Sequence, residues 1–207
     1  MALLITHHPS RIAEFPHIRR VRDGRFPHEV VSILPGEYFV SQEPMIIQTV
    51  LGSCVSVCVR DPLLSIGGMN HFMLPVPCEG GVNSWGESAR YGCHAMELLV
   101  NEILRRGGGR DRLEVKVFGG GKIYDSSLDV GARNAVWVLE YLERERLKPI
   151  VADLRDVYPR KVYYFTESGR VLLKRIKRVK NRTIEERERR YHASLQQRRA
   201  DGEVALF

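Results

Sequence analysis

The stretch TVLGSCVSVCVRDPLLSIGGMNHFMLP, residues 49–75, decides how the rest of the chain is read. From Cys54 to Arg60 valine recurs at every second position, the pattern of a β-strand. Asp61-Pro62 is a turn signal. Ser65 to Leu74 reads as a second strand, with Gly67 and Gly68 marking a bend or a close backbone approach. Two strands separated by a short polar turn form a hairpin. A four-residue loop over Asp61–Leu64 pairs Arg60 with Ser65 and, further out, Cys54 with His71. In that register the thiol and the imidazole share a face, with Cβ atoms about 4.5–5.5 Å apart. A change of one residue in the loop, or a bulge at Gly67-Gly68, would send His71 to the opposite face. The same geometry separates Cys54 from Cys58 by roughly 13 Å, too far for a disulfide.

Two readings of Cys54 and His71 stand at this point. They are ordinary buried residues, or they are a nucleophile and its base. A free thiol, with a pKa of about 8.5, is only slightly ionised at neutral pH. A neighbouring imidazole takes its proton and later returns it to a leaving group. Gly52 and Ser53 put bare backbone beside the thiol, where N–H groups could hold an oxyanion. The plainer role of the glycine is a tight turn leading into the strand.

Outward from this hairpin, residues 1–34 read as an N-terminal extension, with prolines and no sustained period, and no core element is assigned there. EYFVS and MIIQTVL are short β-prone runs. Ala89–Arg106 is an amphipathic helix with Tyr91, Ala95, Leu98, Leu99 and Ile103 inward, Ser88 as its N-cap and Gly107–Gly109 as its stop. Leu113–Phe118 is a strand leading into Gly119-Gly120-Gly121. Asn134–Arg146 is a second amphipathic helix, with Val138, Leu139 and Leu142 inward. Ile150–Leu154, Lys161–Thr166 and Val171–Ile176 are strands, the last two joined through Glu167-Ser168-Gly169. The expected domain spans residues 35–178, followed by a basic tail over 179–207.

The formal net charge of +7 is concentrated in that tail. From Lys174 to Arg199 there are 11 Lys/Arg against 3 Asp/Glu, which leaves 21 basic and 22 acidic residues elsewhere. The body of the protein is therefore near neutral, which argues against a nucleic-acid-binding domain. The tail reads as a solvated charged helix or a disordered segment, and contact with nucleic acid, anionic lipid or an acidic helical partner is the competing use. No apolar run has the roughly 18 residues of a spanning helix, and the N-terminus lacks the pattern of a secretory signal, so no membrane insertion and a cytoplasmic location are expected. The four cysteines, at 54, 58, 78 and 93, lack CxxC or Cys/His metal spacing and read as thiols. GGGK at 119–122 lacks the spacing of a phosphate-binding loop. His7-His8 reads as a solvated pair, His94 as a surface or boundary residue, Trp85 as a possible cleft wall, and Arg133 as a weak substrate-facing option.

TVLGSCVSVCVRDP followed by IGGMNHFMLP, then ARYGCHAMELLVNEILRRG, FGGGKI and DVGARNAVWVLEYL, together resemble the chemoreceptor glutamine deamidases, the CheD family, over roughly residues 36–178. The resemblance implies an α+β fold, a mixed β-sandwich flanked by helices and similar to the toxin-type cysteine deamidases. It implies a cysteine amidohydrolase that converts selected receptor glutamines to glutamate and releases ammonia, with no metal or organic cofactor. Cys54 matches the nucleophile, His71 the general base and Thr49 the third member; members with this threonine one residue earlier would point to Gln48 instead. Gly52 and Ser53 are the oxyanion or substrate-loop candidates. The implied partners are methyl-accepting chemotaxis receptors and, for some members, a CheC-type phosphatase. A non-catalytic signalling partner that keeps the fold and binds such a phosphatase or receptor is the alternative. One departure stands out: many members carry Gly-Gly after the strand at 150–154, where this chain has Asp153-Leu154-Arg155-Asp156.

Overall fold

The computed structural model describes residues 15, 17–74, 84–123, 129–177 and 183–200, with the backbone alone for 84–90, 185 and 196–200. Cys78, the His7-His8 pair and the side chains of Trp85 and Ser88 lie outside this description. In chain order the strands are β1 (Arg19–Val21), β2 (Val30–Ser32), β3 (Tyr38–Ser41), β4 (Ile46–Leu51), β5 (Val55–Asp61), β6 (Ile66–Asn70), β7 (Glu114–Gly119), β8 (Pro149–Leu154), β9 (Arg160–Phe165) and β10 (Val171–Arg175). Helix α1 (Ser84–Arg105) lies between β6 and β7, α2 (Val130–Arg144) between β7 and β8, and α3 (Thr183–Ala200) follows β10. The strands form two mixed five-stranded sheets, β1-β2-β4-β9-β10 and β3-β6-β5-β7-β8. The fold is α+β.

Layering follows from which face each side chain takes. Val55, Val57 and Val59 of β5 pack with Leu99, Ile103, Val138 and Leu142 of the two helices, so this face of the second sheet lies under α1 and α2. Cys54, Cys58, Met69 and Phe118 turn the other way and join Val31, Ile47, Leu51 and Val162 of the first sheet in a second core. Strand β5 is thus covered on both sides, which is why its residues are nearly all buried despite period-two alternation. Leu98 and Leu139, expected to point inward, are instead exposed at 36% and 41%, because the buried stripe of each helix is narrower than the apolar count suggests.

The hairpin forms with a register two residues away from the expected one. Asp61 pairs with Ile66 and Cys58 with Met69, so the loop is Pro62–Ser65. The Asp61 side chain causes this: its Oδ1 accepts the Leu63 and Leu64 N–H groups and its Oδ2 the Gly109 N–H, which keeps Asp61 in the strand. A shift of two preserves which face each residue occupies. Gly67 and Gly68 pair regularly with Arg60 and Val59, without a bulge. Gly68 marks a close approach: a Cβ there would lie 2.8 Å from Leu99 Cδ1 and 2.9 Å from the Phe39 carbonyl.

Three further expectations are corrected. The segment before residue 35 contains β1 and β2, and Phe15, Ile18, Val31 and Ile33 are part of the inter-sheet core. Strand β2 pairs parallel with β4, a long-range pairing invisible in a short strand without periodicity. Helix α1 begins at Ser84, before the expected Ser88 cap, and ends as foreseen, with Gly107 at positive φ and its N–H and that of Gly108 donating to Leu104 and Ile103 carbonyls. The basic tail forms α3, and it is not wholly solvated: Glu188 and Leu195 are buried.

Candidate active site

Strand β4 belongs to one sheet and β5 to the other, and only Gly52, Ser53 and Cys54 separate them. The chain must therefore cross the inter-sheet space in three residues, whose backbone groups leave the ladders. All three carbonyls are held from behind. Gly121 N–H donates to Gly52 O at 2.8 Å, Asn134 Nδ2 to Ser53 O at 2.8 Å, and Gly120 N–H to Cys54 O at 2.7 Å. All three N–H groups face one point on the other side, where the Glu188 carboxylate sits. Gly52 and Cys54 donate to Oε1 at 2.7 and 3.4 Å, and Ser53 donates to Oε2 through its N–H at 2.8 Å and its hydroxyl at 2.7 Å. Successive N–H groups converging on one anion form an anion-binding cradle.

His71 follows β6 on the face shared by Met69 and Met73, which is also the face of Cys54, although the residue directly opposite Cys54 in this register is Met73 and His71 is its diagonal neighbour. Thr49 Oγ1 lies 2.7 Å from His71 Nδ1 and donates to the Ile33 carbonyl at 2.8 Å. A hydroxyl has one proton, and here it goes to Ile33. Toward the imidazole Thr49 must accept, so Nδ1 carries the ring proton and Nε2 is left with its lone pair. Nε2 is buried and has no hydrogen-bond partner among the described residues. Gln48 turns away, its amide donating to Ser32 Oγ at 2.6 Å. Burial, followed by the positive charge of Arg187, pushes the His71 pKa down to about 3 and keeps the ring neutral. Burial also raises the Cys54 thiol well above its ordinary value, and the Glu188 charge and hydrogen bond add to it.

The glycine loop acts as a brace. Gly119 has φ of +115°, and a Cβ there would overlap the Cys54 carbonyl oxygen. Behind it, Arg155 N–H donates to Gly119 O and Lys122 N–H to Asp156 O, each at 2.8 Å. Arg155 and Asp156, which follow β8, both adopt positive φ, at +67° and +75°. Lys122 is exposed, and so is His94. Sequence reasoning missed two residues. Asn134, seen only as the start of a helix, is fully buried and ties Ser53 O to the Leu74 N–H, which its Oδ1 accepts at 3.0 Å. Arg133, beside it, is partly buried. Glu188 was one acid among many charges, and nothing in the local pattern set it apart.

A family model described as CheD chemotactic sensory transduction matches residues 73–175. Among curated proteins, a probable chemoreceptor glutamine deamidase CheD 1 of Shewanella oneidensis is 50% identical over 190 residues, covering 91% of this chain and 92% of its own. The chain belongs to the CheD family. A Dechloromonas aromatica protein of the same name is also 50% identical over 190 residues, covering 91% and 94%, and a CheD protein of Methylobacillus flagellatus is 47% identical over 189 residues, covering 89% and 93%. The family model begins at Met73, after the crossing loop and His71, and takes in both helices that pack on the hairpin, whereas these relatives align with about nine-tenths of the chain. No helix among the described residues is long and apolar enough to cross a membrane.

Proposed function

We propose that this protein hydrolyses selected glutamine side chains of chemoreceptors to glutamate, with Cys54 as nucleophile, His71 as acid and base, and Thr49 as the residue that orients the imidazole. The observation that carries the assignment is the crossing loop: three carbonyls held from behind and three N–H groups converging beside a cysteine, with a neutral imidazole on the same face. His71 Nε2 takes the thiol proton as Sγ bonds to the amide carbon. The carbonyl oxygen gains negative charge among the Gly52, Ser53 and Cys54 N–H groups. The imidazolium then protonates the amide nitrogen, the C–N bond breaks, ammonia leaves and a thioester remains. Water, deprotonated at Nε2, attacks the thioester carbon, and the C–S bond breaks to give glutamate and restore the thiol. Thr49 holds the Nδ1 proton throughout and so fixes which nitrogen is basic. The reading includes action in the cytoplasm, on receptor segments there, and a CheC-type phosphatase as a further partner.

The test is incubation of the protein with receptor cytoplasmic domains, followed by mass spectrometry for the gain of about 1 Da at glutamine that accompanies amide hydrolysis. Deamidation by wild type and none by Cys54→Ala is expected. No deamidation by folded wild type across a receptor panel would favour the non-catalytic signalling alternative.

A further inference from the structure

Helix α3 has little reason to dock by hydrophobicity. Eight of its 18 residues are charged, and among its described side chains only Glu188 and Leu195 are buried. A carboxylate is costly to bury unless its oxygens are fully bonded. Glu188 meets that condition at one place, where both oxygens are taken up by the Gly52, Ser53 and Cys54 donors. The fit is tight: a Cβ at Gly52 would lie 2.6 Å from Glu188 Oε1. Further along the helix, the Tyr191 hydroxyl bonds to that of Tyr91 on α1, and it would lie 2.8 Å from a Cβ at Gly36. The helix therefore spans the crossing loop, the Gly36 turn and α1, and beneath it Cys54 has no exposed surface.

A glutamate side chain is the product of glutamine hydrolysis. Glu188 presents its carboxyl carbon to the cradle as a product residue would, from the side of a helix. We propose that α3 is an internal product mimic: Glu188 fills the acyl subsite, so that the free protein is latent and a glutamine carried on a partner helix must displace α3 to react. This rests on the deamidase reading. It makes two demands. The first is that removing the carboxylate uncovers Cys54. The second is that a glutamine placed at 188 lies in the substrate position, where Sγ attacks its amide carbon, the thiol proton passes through His71 Nε2 to the departing ammonia, and water resolves the thioester to glutamate.

Both can be read in the full-length chain. Iodoacetamide labelling of Cys54, followed by mass spectrometry of its peptide, should be slow in wild type and faster in Glu188→Ala. A displaced state populated at roughly 0.1–10% corresponds to a rise of about 10- to 1,000-fold. Glu188→Gln should be recovered with glutamate at 188, while the same substitution combined with Cys54→Ala keeps its glutamine. Equal labelling of wild type and Glu188→Ala, or a glutamine that persists at 188 in a protein that deamidates receptors, would overturn the proposal. Accelerated labelling and self-conversion without deamidation of any receptor would uphold the mimic and overturn the receptor assignment instead.

Discussion

Replacing Thr49 with valine tests the orientation of the base. Valine keeps the shape of threonine and loses the hydroxyl. In the buried site that hydroxyl serves two groups at once, donating to Ile33 O at 2.8 Å and accepting from His71 Nδ1 at 2.7 Å. Each buried polar group left without its partner costs about 1–3 kcal/mol, so Thr49→Val should destabilise the fold by about 2–6 kcal/mol. The catalytic effect is separate. Once Nδ1 loses its acceptor, the ring proton is free to move to Nε2, and a ring protonated there cannot accept the thiol proton. General acid–base catalysis contributes typically 10²–10⁴-fold, and kcat for ammonia release should fall by about 10²-fold or more with a smaller change in KM. Thr49→Ser keeps the oxygen and should recover most of kcat. Urea titration measures the first quantity and coupled ammonia detection on a receptor fragment the second. A valine variant with wild-type kcat, or a serine variant as impaired as valine, would refute the orientation argument.

Other perturbations address the frame of the site. Burial holds the His71 pKa down at about 3, against an ordinary value of 6.5. Between these values the unfolded chain binds a proton that the folded one does not, so stability should fall as pH drops from about 6.5 toward 3, by up to about 1.4 kcal/mol per unit. Urea midpoints of wild type and His71→Asn across that range should diverge; parallel curves would contradict the buried neutral ring. Burial alone would raise the Asp61 pKa, yet Arg112 and the N–H groups of Gly109, Leu64 and Leu63 hold it near 2. Asp61→Asn should cost about 1–3 kcal/mol at neutral pH, and the difference from wild type should shrink below pH 4 as the aspartate is protonated in the unfolded chain. Gly119→Ala forces a Cβ into the Cys54 carbonyl at a left-handed backbone position. It should lower both stability and kcat, as thermal melts and ammonia release would record.

The strand order in 49–75, the helices on either side of Gly107 and the shared face of Cys54 and His71 were legible because each depends on local periodicity and turn chemistry. The face survived an error in register because Asp61, held in the strand, moved the loop by one residue and so the pairing by two, and parity is all that the face requires. Thr49 and Gln48 could not be separated by pattern alone. They alternate along β4, and what distinguishes them is that one side faces His71 and Ile33 while the other faces Ser32. Asn134 and the glycine loop were visible as residues but not as braces, since the carbonyls they hold belong to a loop on another element. Glu188 lies 134 residues from Cys54 along the chain. Among eleven basic residues and two other acids, its chemistry is ordinary; only the crossing of the chain between two sheets, which turns three N–H groups outward together, gives one carboxylate a place to be buried.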